Sequence, residues 1–149
     1  MSYQTIVDGA KTLLSTVTGF TATGAVRDDD YEQANAGVEK FITLAYDGFR
    51  AERDTFQGHH WIHWRIRIRL YNQMVDNIAV DSAVQTADRQ AIINKVLQYP
   101  MLNGTAGVFD AWITEGGRDD EPRQLGDSSF VREWLMLNVQ EDVSGGELE

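Results

Sequence analysis

Three histidines stand close together in this sequence, and imidazole is the side chain here best suited to bind a transition metal. They are His59, His60 and His63. If the segment is a β-strand, residues four apart lie about 13 Å from each other, and His60 faces the side opposite to His59 and His63. A single metal ion cannot use that spacing, so we predict no metal site.

Two further patterns resemble ligand-binding sequences but lack the required spacing. Asp28, Asp29 and Asp30 are consecutive, whereas a calcium loop has ligands at alternate positions and a central glycine. The glycine-rich segment 103–107 follows a predicted helix and precedes a predicted strand, the reverse of a phosphate-binding loop. The chain has no cysteine, which excludes a thiol nucleophile. No catalytic motif is found, so we predict a non-enzymatic protein without a cofactor.

The segment WIHWRIRIRLY at 61–71 alternates between two sets of residues without a break. Side chains on a strand point to alternate sides, so one set can line a core while the other forms a row on the opposite surface. The core set is Ile62, Trp64, Ile66, Ile68 and Leu70, and the opposite set is Trp61, His63, Arg65, Arg67, Arg69 and Tyr71. In a chain of net charge -10, such a row of arginines and aromatic rings indicates a binding surface.

The spacing of apolar residues predicts the other elements of the first two thirds of the chain. Residues 3–17 have helical spacing behind the N-cap candidate Ser2, with Gly19 as a stop. The polar segment 21–40 predicts a long loop or a short helix, residues 41–46 a strand, and residues 47–58 a polar connection. A second helix is predicted from Thr86 to the residues before Pro100.

Two more strands are predicted near the end of the chain, and the order of elements indicates the fold. Residues 107–115 alternate with Phe109, Ala111 and Ile113 on one side, and residues 130–139 also alternate. Segment 116–128 between them, with glycine, proline and mixed charge, is typical of an exposed hairpin loop. The order α-β-β-α-β-β favours an α+β fold in which a four-stranded antiparallel sheet carries both helices on one face. We predict one domain over residues 1–142 and a flexible acidic tail over 143–149.

The sheet face without helices is the predicted docking surface. Arginine mixed with aromatic rings is typical of the centres of protein interfaces, so we expect a subunit interface there and partner contacts in the connections. The expected interface residues are Trp61, Arg65, Arg67, Arg69, Tyr71, Trp112, Arg132 and Trp134. The expected contact-loop residues are Asp47, Arg50, Arg53, Arg118, Asp119, Asp120 and Arg123.

Two other interpretations stay open. The arginines can pair with acidic side chains on adjacent strands, Asp110 being the first candidate, while segment 21–40 folds over the aromatic rings. Alternatively, the same α+β fold can hold a small ligand or an active site between sheet and helices, with His63 or carboxylates as acid–base groups. An enzyme should then have a concave pocket with converging polar groups, whereas an assembly subunit should have a flat aromatic face and projecting loops.

Composition narrows the range of partners. Thirteen basic residues against 23 acidic ones argue against ordinary nucleic-acid binding, because phosphate contacts need a basic surface. The start of the sequence lacks a signal-peptide pattern, and no segment approaches the roughly 20 apolar residues of a membrane span. We therefore expect no membrane partner, and a protein made and used in the cytoplasm or in a particle assembled there.

Two segments near the end of the chain resemble a known family. YPMLNGTAGVFDAWITEG joins a helix end, Leu-Asn-Gly and an alternating strand, and FVREWLMLNVQED is an aromatic, alternating strand with an acidic finish. Over roughly residues 60–142 this pattern is similar to that of tail terminator proteins of long-tailed bacteriophages. A related neck or tail-completion protein fits the same pattern.

The resemblance implies a function in virion assembly. Such a protein forms a ring, usually of six copies, on the last ring of the tail tube, where it stops tube growth and offers a surface to the head-side connector. Its partners would be further copies of itself, the tail tube protein and the connector. Genome DNA would pass through the ring without specific binding, and the protein would reside in the tail or neck of the virion.

Overall fold

The computed structural model describes residues 3–22, 24–28, 40–54, 59–73, 82–119, 121–125 and 128–143. Predicted contact residue Asp120, most of segment 21–40 and the predicted tail beyond Val143 therefore lie outside the described residues. The elements in chain order are α1 (Tyr3–Leu14), β1 (Val26–Asp28), β2 (Lys40–Asp54), β3 (His59–Gln73), α2 (Ser82–Gln98), β4 (Val108–Arg118), β5 (Arg123–Leu125) and β6 (Ser128–Asp142).

The strands form one mixed sheet of six, in the order β1-β2-β3-β6-β4, with β5 also paired to β6. β1 runs parallel to β2, and the other pairs are antiparallel. The prediction of a four-stranded antiparallel sheet is therefore wrong. The two additional strands have three residues each and lie in the polar segments 21–40 and 116–128. Three residues are too few to show the alternation by which strands are recognised in a sequence.

The predicted connection 47–58 is instead mostly strand, because β2 continues to Asp54 opposite His59. A β-bulge at Asp47 and Gly48 interrupts the pairing of β2 with β3, so that Tyr46 pairs with Ile66 and Gly48 already pairs with Arg65. Gly48 has a φ of 126°, a conformation that glycine adopts without steric cost. The bulge breaks the two-residue alternation, which is why the strand pattern in the sequence ends at Tyr46.

β4 also contains irregularities, and one of them reverses a predicted orientation. Its pairing with β6 shifts between Val108 and Asp110 and again between Ile113 and Glu115. Val108 and Ala111 are consequently both buried, while Phe109 is 56% exposed. The prediction that Phe109 shares a side with Ala111 is wrong for this reason.

The main core lies between the sheet and both helices. Ile6, Val7, Ala10, Leu13 and Leu14 of α1 are buried at helical spacing, which confirms the predicted first helix, although it ends at Leu14. From the predicted core set of β3, Ile66, Ile68 and Leu70 belong to this core and Trp64 packs against it, together with the matching residues of the neighbouring strands. Because residues of both helices belong to this one cluster, they cover the same face of the sheet.

The second helix begins four residues before the predicted N-cap Thr86. Its buried stripe starts with two polar residues, Gln85 and Asp88, before the apolar Ile92 and Val96. Asp88 is stabilised there by Lys40, whose Nζ lies 3.0 Å from its Oδ1. A polar stripe carries no hydrophobic periodicity, so the first turn of the helix was not visible in the pattern.

Candidate subunit interface

The face of the sheet opposite the helices carries the predicted row of β3 side chains, and we call it the arginine face. The registers bring neighbours of β2, β6 and β4 to the same face: Thr43 beside Arg69, Met136 beside Arg67, and Trp112 beside Asn138. All eight predicted interface residues lie on this face, and Tyr71 is at one end of it. The face divides into a closed end and an open end.

The arginines in the middle of the face are paired with acidic side chains of neighbouring strands. Asp47, at the bulge of β2, lies between two of them, with 3.4 Å from its carboxylate oxygens to Nη2 of Arg65 and of Arg67. Glu115 lies 3.9 Å from Arg65. Asp110 instead accepts a hydrogen bond from the amide of Ala111. Pairing within the sheet is thus confirmed, with different partners from the one predicted.

These ion pairs leave the arginine side chains partly accessible. Arg65 is 46% exposed and Arg67 is 31% exposed. Arg67 also lies over the ring of Trp134, with 4.8 Å from its guanidinium carbon to the ring centroid. Exposed ion pairs of this kind contribute only about 0–1 kcal/mol to the stability of the fold. Their replacement by contacts with a partner subunit would therefore cost little free energy.

The closed end of the face is covered by the chain itself. Tyr71 is fully buried and stacks on Phe41 with 4.3 Å between ring centroids, while Phe130 and Leu125 complete the cluster. Arg27 of β1 lies 3.9 Å above the Phe41 ring. Tyr71 is therefore part of a second, small core, and its side chain is not accessible to another subunit.

Arg132 belongs to the same closed end. It donates a hydrogen bond from Nε to the carboxylate of Asp119 and lies over the Tyr71 ring. Burial lowers its pKa, but the interactions with Tyr71 and Asp119 outweigh that effect and raise the pKa above the usual value of arginine. Both predicted site residues, Arg132 and Asp119, thus hold the second core together.

The open end of the face has exposed aromatic rings. Phe109 packs edge-on against Trp61 with 5.0 Å between ring centroids, and more than half of its side chain is exposed. Beside this pair lies a groove of about 410 Å³, which is lined by Asp47, Gly48, Phe49, Arg50, His63, Arg65, Trp112 and Asn138. His63 is fixed by Glu52, 3.0 Å from its Nε2. This end combines accessible arginine and tryptophan with a recess.

The predicted contact-loop residues do not form one patch. Arg50 and Arg53 are exposed on β2, near the end of the sheet where β6 finishes. Arg118 and Arg123 are exposed on β4 and β5, near the start of β6. Most of them belong to strands rather than to projecting loops, and the two groups lie at opposite ends of the sheet.

Sequence reasoning missed a groove between α2 and the outer strand β4, with a volume of about 510 Å³. At its base Glu133 is almost fully buried, 3.0 Å from Arg89 and 3.6 Å from Arg118. Arg118 also donates a hydrogen bond to the side chain of Gln85. A signal was present in the sequence, because Glu133 interrupts the apolar series Val131, Leu135, Leu137 of a core-facing row.

A second missed feature is an aromatic cluster on the helix side of the sheet. Tyr3 of α1 lies 5.1 Å from Tyr46 and 5.4 Å from Trp64, and Phe49 lies 5.4 Å from Trp64, measured between ring centroids. Tyr46 is 55% exposed and Phe49 is 57% exposed. We call these four residues the aromatic cluster.

A group of metal-ligand side chains and a membrane-spanning helix are both absent from the described part of the chain. Among those residues, no three histidine or acidic side chains are grouped so that they could hold a metal ion. None of the described helices is long and apolar enough to span a membrane.

Comparison with known proteins finds likeness only among solved structures, and at a distant level. No protein-family model and no curated protein matches the chain. Among solved structures, it is similar to a chain of the assembly described as "Virion of native gene transfer agent (GTA) particle". The two are 14% identical, the match covers 94% of this chain and 90% of that chain, and the TM-score is 0.43. This chain therefore has a distant structural neighbour in a virion particle, and a likeness at this level carries no argument about function.

Proposed function

We propose that this chain is a structural protein of a phage-type virion. Copies of it would form a ring at the head-proximal end of the tail tube, end tube growth and join the tail to the head connector. The proposal rests on the family resemblance of residues 60–142 and, above all, on the open end of the arginine face. In this function the protein acts by binding alone, without chemistry and without a cofactor.

The open end has the composition of an interface centre. Trp61, Phe109 and Trp112 lie beside accessible arginines, and aromatic residues and arginine dominate the energetics of protein interfaces. Complete burial of one large apolar side chain stabilises a complex or fold by about 1.5–3 kcal/mol. A neighbouring subunit that covers this end would gain that stabilisation from rings that are now in contact with water.

A ring of identical copies needs contacts between two different surfaces of each copy, because only such head-to-tail contacts close by rotation. A difference between the two surfaces of the ring would also explain how tube growth ends. One surface of the ring would imitate a tube ring, and the opposite surface would lack the features on which another tube ring stacks. A net charge of -10 would also keep the genome from adhering as it passes, since phosphates and carboxylates repel.

The groove between α2 and β4 has converging polar groups, as an enzyme's pocket would. Its carboxylate, Glu133, is held by Arg89 and Arg118, so it is neutralised by ion pairs within the protein. A carboxylate that is buried between two cations has little contact with the open groove, where a general acid or base must reach its substrate. We therefore propose no catalytic function for this groove.

The proposed interface is tested by Phe109→Glu, which places a charge in the open end without emptying the core. Wild-type protein added to purified tails that lack it should form rings at their ends, visible by electron microscopy, and Phe109→Glu should not. The matched control is Leu97→Glu, because Leu97 is 68% exposed on α2, away from the face, and glutamate is a good helix former. Normal rings from Phe109→Glu, at unchanged thermal stability, would refute the interface.

The proposed position is tested in particles made without the protein. We expect tails of uncontrolled length, because nothing would then cap the tube. Tails of normal length that are not joined to heads would instead favour the alternative that this chain is another neck protein. Such a protein would contact a different ring from the last ring of the tail tube. Particles that are normal in both respects would contradict the proposal.

A further inference from the structure

A head-to-tail ring requires a second surface that fits the first, and the aromatic cluster on the helix side has the properties of that surface. Tyr46 and Phe49 are more than half exposed, while Tyr3 and Trp64 support them from below. Large aromatic side chains exposed together are uncommon on an isolated subunit and indicate a contact site. The inference therefore rests on the proposed function and names the partner surface.

The groove of the arginine face is chemically complementary to these rings. Arg50 is 74% exposed and Arg65 is 46% exposed at its rim, and Trp112 lines it. A guanidinium group binds the face of an aromatic ring, with about 0.5–2 kcal/mol for each contact. The chain already uses this pairing internally, at Arg27 over Phe41, at Arg67 over Trp134 and at Arg132 over Tyr71.

One copy cannot fill its own groove with its own cluster. Both features are built on β2, and Phe49 also takes part in lining the groove. Its ring, however, packs against Trp64 on the helix side of the sheet, whereas Arg50 pairs with His63 on the arginine face. Only a second copy can bring the two surfaces together. In such a contact each copy inserts its aromatic cluster (the donor surface) into one neighbour and receives the other neighbour's cluster in its groove (the acceptor surface). A closed ring requires two different contact surfaces of this kind.

We infer that Tyr46 and Phe49 of one copy dock into the groove of the next copy, where Arg50 and Arg65 lie against their rings. The contact joins the front of one sheet to the back of the next. A large apolar side chain in a pocket is the usual form of an interface hot spot, so the cluster should contribute much of the energy of the contact.

Cross-linking tests this arrangement directly, since the natural chain has no cysteine. One variant carries Ala51→Cys, which is exposed on the helix side beside the cluster, and the other carries Asn138→Cys, which lies in the groove. Under conditions in which the wild type forms rings, a short bis-maleimide should link the two variants in a mixture and neither variant alone. The product should have about twice the 16.8 kDa mass of one chain.

A further substitution shows whether the rings themselves make the contact. Adding Phe49→Glu to the Ala51→Cys chain should lower the cross-linked fraction about tenfold, the effect of losing about 1.4 kcal/mol of contact energy. Adding Leu97→Glu, at a position that is also more than half exposed but lies outside the cluster, should leave the fraction unchanged.

The other outcomes separate this inference from the proposed function. Cross-linking of Asn138→Cys with itself would mean that two arginine faces dock on each other, which overturns the inference. Absence of cross-linking in the mixture also overturns it. If Phe109→Glu nevertheless abolishes rings, the arginine face stays an interface and its partner is another surface. If Phe109→Glu forms normal rings, the proposed interface itself fails.

Discussion

Removing the two arginines around Glu133 should destabilise the protein far more than removing Glu133 itself. Glu133 faces the core side of β6 and is only 5% exposed, with Arg89 at 3.0 Å and Arg118 at 3.6 Å. The two cations are far better hydrated, at 40% and 49% exposure. Without them the carboxylate would remain buried and uncompensated, whereas without the carboxylate they would simply face water.

The size of the expected loss of stability follows from this difference in burial between the carboxylate and the two cations. Leaving a buried charge without its partner costs about 3–5 kcal/mol, so we expect that loss for the double variant Arg89→Met/Arg118→Met. Replacing Glu133 by leucine fills an apolar row and should change the free energy of unfolding by less than about 1 kcal/mol. For a chain of 149 residues, the double arginine variant should therefore melt about 6–20 °C below the wild type.

Urea unfolding followed by far-ultraviolet circular dichroism measures these differences. The triple variant, in which Glu133→Leu is added to both arginine substitutions, should recover most of the lost stability, because no buried charge is left. Arg50→Met is the control for loss of an exposed arginine, since its side chain is 74% exposed. If Glu133→Leu proved as destabilising as the double arginine variant, the assignment of a charge stabilised by its neighbours would be refuted.

Two other perturbations have expected outcomes. Gly9→Ala should cost about 1–3 kcal/mol in urea unfolding, because its Cβ would lie 2.2 Å from Oγ1 of Thr105, and Thr105→Ala should recover part of the loss. Burial, followed by the charges of Asp28 and Tyr46, raises the pKa of Tyr3 to about 12 from its ordinary 10.0. The folded state then holds a proton that the unfolded state loses, so stability should fall between pH 10 and 12. Tyr3→Phe should fall less steeply there, and an identical slope in both proteins would contradict this pKa.

Long periodic segments were predictable from the sequence. The alternation of 61–71 gave both the strand and its two faces, since a residue on a strand has a fixed side. Ile66, Ile68 and Leu70 are buried as predicted, and the arginines lie opposite them. The predicted helix at the start of the chain is present for the same reason, because its apolar residues recur at the helical period.

The features that were not predictable depend on tertiary contacts. Three-residue strands exist only because a neighbouring strand supplies their hydrogen bonds, and β5 adds Leu125 to the second core. Polar residues such as Gln85 and Asp88 are buried because partners on other elements neutralise or bind them. A local sequence pattern does not identify those partners, because they lie on other elements. The candidate site was affected in the same way: Tyr71 follows the alternation, but distant segments cover it.

The bulge of β2 connects the fold to both proposed contact surfaces. In a regular strand, residues three apart point to opposite sides, so Tyr46 and Phe49 would be separated by the sheet. One additional residue at the bulge brings both to the helix side, where they join the aromatic cluster. The same residue, Asp47, reaches the arginine face and holds Arg65 and Arg67 in place. Because one irregularity shapes the donor surface and the acceptor surface together, a substitution that removed the bulge would disrupt both at once, and the asymmetry needed for a closed ring would be lost with it.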